Sequence, residues 1–313
     1  MKAAVIHAFG EAPSFADFAD PSPEPGEVVV TVAAAALSHL VRGRASGAHY
    51  SASGKPPFIP GVDGVGRRED GRRVFFLMPR APYGAFAQRT VVAAERCLPL
   101  PDDLDDVTAA ALANPGMSSW AAFAERAKLQ PGETVLVNGA TGAAGRLAVA
   151  IARHLGAGRV IATGRNAEAL AALGADAIIP LTGDGEAMEK RFQAEFAKGV
   201  DVVIDYLWGE SAERLLIAAA KAGADAVPIR FVQVGAVSGA NISLPSAVLR
   251  SSAITLMGSG LGSVRGDRFL ACIRDLLAAA PAGGFKVATR PIPLSDVAAG
   301  WADTSGARVV FTM

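Results

Sequence analysis

The chain is 313 residues long and 51% apolar, which allows two domains with a core each and excludes a disordered or fibrous protein. Its 30 lysine and arginine residues balance 30 aspartate and glutamate residues, so the charge indicates neither a nucleic acid nor an anionic membrane as partner. Without a signal peptide at Met1–His7 or an apolar run near the roughly 18 residues of a membrane span, we expect a cytoplasmic protein.

The N-terminal third of the chain is β-rich and irregular. Apolar, β-branched runs predict strands at Glu27–Ala33, Arg73–Met78 and Ala85–Val92, and segments rich in Gly, Pro and Ser separate them. Two helices are expected next, at about Asp105–Ala113 and Ser118–Lys128. This part of the chain therefore differs in character from the remaining two thirds.

Strands and helices alternate from residue 134 onward. Each strand is a nearly continuous apolar run, as expected where helices cover both faces of a parallel sheet. We therefore predict an α/β fold with a doubly wound parallel sheet. The strands are expected at about 134–138, 159–163, 176–181, 201–206, 229–234 and 253–257, and the helices at about 143–156, 166–173, 185–197 and 209–222.

A glycine-rich turn joins the first of these strands to its helix. The spacing GxxGxxG is weak evidence alone, but a strand before it and a strand after the helix make a βαβ unit that is typical of dinucleotide binding. The first amides of the helix lack internal partners and face an anion, so we expect a bound pyrophosphate here. The residues of the turn are Gly139, Ala140, Thr141, Gly142, Ala143, Ala144 and Gly145.

The C-terminal part contains one more helix, a strand, a short helix and a final strand. The pattern alone leaves open whether these elements complete the parallel sheet or return to the first domain. They are expected at Asp267–Ala280, Lys286–Ile292, Ser295–Trp301 and Arg308–Thr312.

The end of the second parallel strand indicates which dinucleotide binds. Enzymes that use NAD place an acid about 20 residues beyond the glycines to hold the ribose 2′-hydroxyl. This chain has Arg165 there, which attracts a 2′-phosphate and predicts NADPH. The alternative is that Arg165 is only a solvated residue at a strand end, with Glu168 nearby.

Several segments, in order, resemble the medium-chain dehydrogenase/reductase superfamily, in the zinc-free quinone oxidoreductase branch that includes zeta-crystallin. The resemblance implies a GroES-like catalytic domain at 1–115 and 263–313 and a Rossmann NADP-binding domain at 116–262. It also implies a homodimer joined by edge strands, for which Ser251–Met257 is suited. The matching segments are Met1–Val5, Ala36–Arg44, Pro57–Gly66, Gly71–Val74, Tyr83–Gln88, Asn114–Trp120 and Gly139–Gly145.

Zinc ligands are missing at the positions where zinc alcohol dehydrogenases of this superfamily carry them. Leu37-Ser38-His39 stands where those enzymes have a cysteine, and Gly61-Val62-Asp63 stands where they have GHE. Catalytic zinc needs three protein ligands, so we expect no metal. The glycines of 61–66 are interpreted as a structural turn rather than a phosphate loop, with Asp63 bracing it.

Further cofactor contacts are assigned by position in the resemblance. Ser118, together with Ser119, is expected to begin a helix and to bond the phosphate or the nicotinamide side. The ends of the fifth and sixth parallel strands supply the rest, although any of their glycines could simply form a turn. These residues are Val234, Gly235 and Ala236, and then Gly258 and Gly260.

The expected reaction is hydride transfer from NADPH to a quinone or another conjugated carbonyl acceptor. Reduction places negative charge on the acceptor oxygen, so one hydrogen-bond donor or acid is needed. The resemblance places Tyr50 near the substrate and makes it the first candidate for that donor, although it could equally pack a loop. Ser38 and His39 are the second candidates, because the resemblance implies that the first domain faces the nicotinamide at these residues.

Two alternatives stay open. One is an enoyl or alkenal double-bond reductase, and the other is an NADPH-binding protein with little turnover, such as a crystallin or a sensor. Apolar Phe58, Phe86 and Leu261 suit either acceptor class and could also be core residues. A short-chain dehydrogenase is excluded, because its glycine motif lies near the N-terminus and no tyrosine here has a lysine four residues later.

Overall fold

The chain folds into two units, each built around its own sheet. The computed structural model describes residues 1–48, 52 and 55–313. One unit comprises Met1–Asn114 and Arg274–Met313, and the other comprises Pro115–Ile273. Each of the two boundaries falls inside a long helix, so neither coincides with a loop.

The elements follow one another closely along the chain. The strands are β1 (Lys2–Val5), β2 (Ser14–Asp17), β3 (Glu27–Ala36), β4 (Asp63–Arg68), β5 (Arg73–Leu77), β6 (Arg89–Ala93), β7 (Cys97–Pro99), β8 (Thr134–Asn138), β9 (Arg159–Gly164), β10 (Ala177–Pro180), β11 (Val202–Asp205), β12 (Ile229–Gln233), β13 (Ile254–Gly258), β14 (Thr289–Pro293) and β15 (Arg308–Thr312). The helices are α1 (His39–Ala45), α2 (Asp106–Ala121), α3 (Ala143–His154), α4 (Ala167–Ala171), α5 (Gly185–Phe196), α6 (Gly209–Ala222), α7 (Ser246–Arg250), α8 (Gly266–Gly283) and α9 (Val297–Trp301).

The first unit is a β-rich domain. Its main sheet has the strand order β14-β15-β3-β4-β5-β7, β6 also pairs with β3, and β1 and β2 form a separate antiparallel pair. The final strand β15 pairs antiparallel with β3, with Phe311 opposite Ala35. Phe311 is fully buried and packs edge-to-face on Phe86, with ring centroids 4.9 Å apart. The C-terminal strand thus completes the core of the N-terminal sheet.

Gly64 and Gly66 lie in a strand and do not form the expected turn. The segment enters β4, which pairs with β3 on one side and β5 on the other. A side chain at Gly66 would place its Cβ 2.2 Å from the carbonyl oxygen of Thr31, so only glycine allows the two strands to approach. The prediction of a turn was wrong for Gly64 and Gly66, because these glycines allow contact with β3, a strand distant in sequence.

The second unit confirms the predicted doubly wound sheet. Its six strands are all parallel and lie in the order β10-β9-β8-β11-β12-β13. Strand β8 has β9 on one side and β11 on the other, so the winding direction reverses at β8. Ligands of such sheets bind at the carboxyl ends of the strands beside this reversal. The core contains Leu136 and Val203 from the sheet and Phe192 from α5.

Helix α2 replaces the two separate helices predicted between residues 105 and 128. It runs without a break through Pro115 and continues as a π-helical segment, Ala122–Ala127. Ser118 and Ser119 donate hydrogen bonds to the Pro115 carbonyl oxygen at 2.8 and 3.1 Å. Ser118 therefore lies in the last turn of a helix and does not begin one, because burial of the alanines preceding Pro115 favours the continuous helix.

Within the described residues, no helix combines the length and the apolar character needed to cross a bilayer.

Candidate functional site

The buried side chain of Asn138 joins three neighbouring strands of the parallel sheet. Its Nδ2 donates to Asp205 Oδ1 at 2.8 Å and to Ser211 Oγ at 3.0 Å. Its Oδ1 accepts from Thr163 Oγ1 at 2.6 Å. Asn138, Thr163 and Asp205 lie near or at the ends of β8, β9 and β11 and are fully buried. The network therefore aligns the carboxyl ends of these strands at the point where the winding reverses.

The carboxyl group of Asp205 also stabilises the turn that precedes α6. Its Oδ1 accepts hydrogen bonds from the backbone amides of Leu207 at 3.0 Å and Trp208 at 3.2 Å. Trp208 has a φ of 58°, a left-handed conformation that is strained for a bulky residue. Burial raises the pKa of Asp205, and these hydrogen bonds act against that rise. Asp205 is thus a structural hydrogen-bond acceptor at the carboxyl end of β11, beside the point where the winding reverses.

Packing requires two of the three glycines in the turn after β8. Gly139 has a φ of +90°, and its amide donates to Thr163 Oγ1 at 3.2 Å. The Ala140 amide donates to the Thr163 carbonyl oxygen at 2.8 Å. A Cβ on Gly145 would lie 2.2 Å from the Gly139 carbonyl oxygen. Gly139 and Gly145 therefore allow β8, β9 and α3 to pack closely.

The third glycine of the turn is not required by packing. Gly142 is exposed, has a φ of −74°, and a Cβ there would come no closer than 3.7 Å to another atom. It precedes α3, whose first amides belong to Ala143 and Ala144. These two amides donate no hydrogen bond to any described residue, and neither does the amide of Thr141. Free amides at a helix start, with an open face beside them, make a site for an anion.

Ser119 connects α2 to the first turn of α3. Its hydroxyl lies 3.1 Å from the Pro115 carbonyl oxygen, 3.2 Å from that of Ala144 and 2.7 Å from the hydroxyl of Tyr206. Because the serine proton goes to a carbonyl, the Tyr206 hydroxyl donates to Ser119. Burial raises the pKa of Tyr206 well above its usual value. Tyr206 is thus a donor within the fold, while Ser118 only bonds the carbonyl of Pro115.

Arg165 lies directly beyond the end of β9. Its side chain is exposed, and it forms no hydrogen bond or ion pair with any residue that the structure describes. The next residue, Asn166, caps α4 by accepting from the Ala169 amide at 2.9 Å. A Cβ on the preceding Gly164 would lie 2.7 Å from Thr141 Cγ2 in the glycine turn. Arg165 therefore starts from a fixed backbone beside the turn, with its guanidinium group available.

Val234, Gly235 and Ala236 follow β12 and lie beside the end of β11. The amides of Val234 and Gly235 both donate to the Asp205 carbonyl oxygen, at 2.7 and 3.1 Å. A Cβ on Gly235 would be 2.7 Å from the carbonyl oxygen of Tyr206, so this glycine is required by packing. The exposed Ala236 continues the segment along the crevice edge.

Gly258 and Gly260 lie at and just beyond the end of β13. The carbonyl oxygen of Gly258 accepts from Arg126 Nε at 2.8 Å. Gly260 and Ser263 bond each other in a tight turn, with the Gly260 amide donating to Ser263 Oγ at 2.8 Å. The backbone of these two glycines is therefore used for local structure.

The candidate catalytic residues of the first unit lie at the start of α1. Ser38 is buried and caps the helix, because its Oγ accepts from the Val41 amide at 3.1 Å. His39 is the exposed first residue of α1, the helix that Ser38 caps. Tyr50, the first candidate for the donor, lies outside the described residues.

Asp63 is the buried first residue of β4 and does not brace a turn. Burial raises its pKa to about 7, while the charge of Arg308 and a hydrogen bond from the Asn114 side chain act in the opposite direction. Its Oδ2 has no hydrogen-bond partner, and neither have Nε and Nη2 of Arg308. Asp63 is therefore a carboxyl group that titrates near neutral pH inside the first unit.

A recess of the first unit lies between α1 and the segments on either side of β4 and β5. Arg44, Phe58, Met78 and Tyr83 contribute to its lining. Burial lowers the pKa of Arg44, and the Tyr83 hydroxyl donates to the Asp20 carbonyl oxygen at 3.2 Å. Phe58 thus borders an open space, whereas Phe86 is a core residue.

No group of three His, Cys, Asp or Glu side chains that could hold a metal ion occurs among residues 1–48, 52 and 55–313. Asp63 stands near Asn114 and Arg308, and a guanidinium group repels a cation. The described residues around Asp63 therefore do not fit a zinc ion.

Known proteins resemble the chain over nearly its whole length. The zinc-binding dehydrogenase family matches residues 143–278. The probable NADPH-dependent quinone reductase tdiC of Emericella nidulans is 30% identical, over 99% of this chain and 99% of that protein. The 2-haloacrylate reductase of a Burkholderia species is 31% identical over 69% of each chain. The quinone oxidoreductase of Thermus thermophilus, solved also in complex with NADPH, has a TM-score of 0.82 at 30% identity and full coverage of both chains.

Replacing Gly145 with alanine should destabilise the second unit, because the new Cβ would overlap the Gly139 carbonyl oxygen. We expect Gly145→Ala to lower the free energy of unfolding by about 2–3 kcal/mol. Gly142→Ala is the matched control and should change it by less than about 1 kcal/mol, since a Cβ fits there. Thermal and urea denaturation measure both. Equal losses in the two variants would contradict the division of the glycines into packing and open positions.

Replacing Asp63 with asparagine should change how stability depends on pH. The folded protein holds a proton on Asp63 up to about pH 7, whereas the unfolded chain releases it near 3.8. The parent therefore loses stability as pH rises between these values, and Asp63→Asn does not. As pH rises over that range, the free energy of unfolding of the variant should increase by up to about 4 kcal/mol relative to that of the parent. Denaturation at a series of pH values measures the difference, and exposed Asp102→Asn is the control. A difference that is constant with pH would show that folding does not raise the pKa of Asp63.

Proposed function

The chain belongs to the medium-chain dehydrogenase/reductase superfamily as a quinone oxidoreductase-like protein, and we propose that it transfers hydride from NADPH to a quinone or another conjugated carbonyl acceptor without zinc. The open glycine turn at the start of α3 is the observation that carries the proposal. It combines free amides, an exposed Gly142 and a nearby arginine at the end of β9.

The residues of the second unit fit a phosphorylated dinucleotide. The amides of Ala143 and Ala144 bind the pyrophosphate, and Gly142 leaves space for it because no side chain stands there. Arg165 binds the adenosine 2′-phosphate, which an acid in its place would repel. The relative in Emericella nidulans is described as NADPH-dependent, and the Thermus thermophilus enzyme forms an NADPH complex. Both support NADPH as the cofactor.

NADPH supplies a hydride when it is bound. The work of this chain's residues is to hold the dinucleotide in place, to exclude water and to stabilise charge on the acceptor oxygen. Val234–Ala236 provide backbone at the crevice edge for the nicotinamide side. Tyr50 is the first candidate for the donor to the acceptor oxygen. Ser38 and His39 follow, and Ser38 keeps its hydroxyl proton for donation because its oxygen accepts the helix-capping bond.

The residues at the zinc positions of the superfamily support a zinc-independent reaction. Ser38 replaces the cysteine, and Val62 and Asp63 replace the histidine and the glutamate of GHE. Ser38 uses its oxygen as a helix cap, and Asp63 lies near a buried guanidinium group. Polarisation of the acceptor is therefore assigned to hydrogen-bond donors.

A second candidate reaction is reduction of an activated carbon–carbon double bond. The similarity to 2-haloacrylate reductase, 31% identical over 69% of each chain, favours it. Quinones and conjugated alkenes share a carbonyl group that gains negative charge when hydride is added, so one donor serves both. The acceptor pocket, rather than the cofactor site, must distinguish the two reactions.

Oxidation of NADPH by the purified protein tests the proposal. We expect absorbance loss of NADPH with benzoquinones or naphthoquinones, compared in parallel with 2-alkenals and enoyl thioesters. Gly142→Ala should raise the Kd for NADPH by about 10-fold or more, because its methyl group occupies the phosphate space while the fold is kept. Turnover of alkenes alone would favour the second candidate. NADPH binding without oxidation by any acceptor would contradict an enzymatic function.

We also propose that the protein is a homodimer formed through β13. This strand ends the sheet order, and its outer edge has no partner strand within the described sheet. Leu256 on β13 is 37% exposed, an apolar side chain on an open edge. Strand β10 ends the sheet on the other side and carries Ile178, which is 42% exposed.

Replacing Leu256 with lysine should therefore weaken the dimer at least 10-fold, because two such charges would meet across the two-fold axis. Ile178→Lys on the opposite edge is the control and should leave the dimer intact. Size-exclusion chromatography with light scattering measures the mass over a concentration series. A monomeric parent protein, or dissociation by Ile178→Lys alone, would contradict the assignment to β13.

A further inference from the structure

Arg146, in the first turn of α3, is a second cation beside the glycine turn. Its Nε donates to the Thr141 carbonyl oxygen at 3.0 Å, which directs the guanidinium group back across the turn. The side chain is exposed, and its other two nitrogen atoms have no partner in the part of the chain that the structure describes. The glycine motif ends at Gly145, so the motif alone does not identify Arg146 as a binding residue.

Thr141 brings Arg146 and Arg165 to one place. Arg146 bonds the carbonyl oxygen of Thr141, and the side chain of Thr141 lies against Gly164, whose Cβ would be 2.7 Å from Thr141 Cγ2. Arg165 is the residue after Gly164. The two arginines therefore both begin beside Thr141, one on α3 and one directly after the end of β9.

No acid among the described residues neutralises either arginine. The nearest acid in sequence to Arg165 is Glu168, which is exposed and forms no ion pair with it. Elsewhere on α3, Arg153 behaves differently, since it pairs with Asp176 at 3.0 Å. Two unneutralised guanidinium groups repel each other, and a doubly charged anion between them removes the repulsion. Guanidinium groups also match phosphate oxygens in a bidentate geometry.

We propose that Arg146 and Arg165 together bind the adenosine 2′-phosphate, so that two arginines from different elements determine the preference for NADPH over NADH. The proposal rests on the proposed function, because it assumes that a dinucleotide occupies the glycine turn. The pyrophosphate is the other phosphate that Arg146 could contact. NADPH and NADH share the pyrophosphate and differ only in the 2′-phosphate, so comparing them distinguishes the two.

The test measures dissociation constants by calorimetry, without turnover, for NADPH, NADH, 2′,5′-ADP and 5′-AMP. Arg146→Gln and Arg165→Gln should each weaken NADPH and 2′,5′-ADP by about 10-fold or more and change NADH and 5′-AMP less than about 2-fold. The double variant should bind NADPH and NADH with equal affinity, because nothing then holds the 2′-phosphate. Arg250→Gln, an exposed arginine on α7, is the matched control and should change no constant.

Four results would overturn the proposal. Equal weakening of NADPH and NADH by Arg146→Gln would assign Arg146 to the pyrophosphate. Unchanged dissociation constants for both NADPH and NADH in Arg146→Gln would show that Arg146 only stabilises the turn. A parent protein that binds NADPH and NADH equally would refute the proposal while leaving the proposed function intact. Binding of neither dinucleotide would refute the proposed function itself. If Arg146→Gln loses the fold, Arg146→Lys replaces it, because lysine keeps the charge but cannot bind phosphate in a bidentate geometry. It should weaken NADPH and 2′,5′-ADP more than NADH and 5′-AMP, and an equal effect on all four would overturn the proposal.

Discussion

The cofactor crevice depends on one buried amide, that of Asn138. Its side chain needs two acceptors and a donor at once, and Asp205, Ser211 and Thr163 provide them. A buried hydrogen bond contributes only about 1 kcal/mol net, but leaving a buried partner unsatisfied costs about 1–3 kcal/mol. Breaking the network therefore costs more than its bonds contribute, and the intact network holds the strand ends in place. Thr163 extends it to the amide of Gly139, and so it fixes where the glycine turn begins.

The groups that bind the dinucleotide backbone in the second unit are backbone amides, and buried side chains that do not touch the ligand hold them in position. Gly139, Gly145 and Gly235 lack space for a Cβ, and each lets one chain segment approach another. Gly142 has that space, and its openness gives an anion access to the amides of α3. Fixed dipoles of this kind need no reorganisation when a charge arrives. The glycine motif thus serves both close packing, at Gly139 and Gly145, and access for an anion, at Gly142. The spacing of the glycines does not show which glycine does which.

The sequence predicts this parallel sheet well because its strands are short apolar runs between helices. Strand β8 has the predicted bounds, and the final strand β15 does as well. Predictions fail where the cause lies far away in sequence: Pro115 stays inside α2, and Gly66 belongs to a strand because it must approach Thr31. The polar network was also missed. Its signal is present, since Asn138 and Asp205 each end an otherwise apolar strand, but only the topology shows that those strands are neighbours.

Two buried aspartates show how differently the units treat a carboxyl group. Asp205 accepts hydrogen bonds from two backbone amides and from Asn138, and these fixed donors act against the rise in its pKa that burial causes. Asp63 has an unpartnered oxygen, and the attraction of Arg308 only partly offsets its burial, which places its pKa at about 7. Asp63 is therefore a buried group of the first unit whose charge changes near neutral pH.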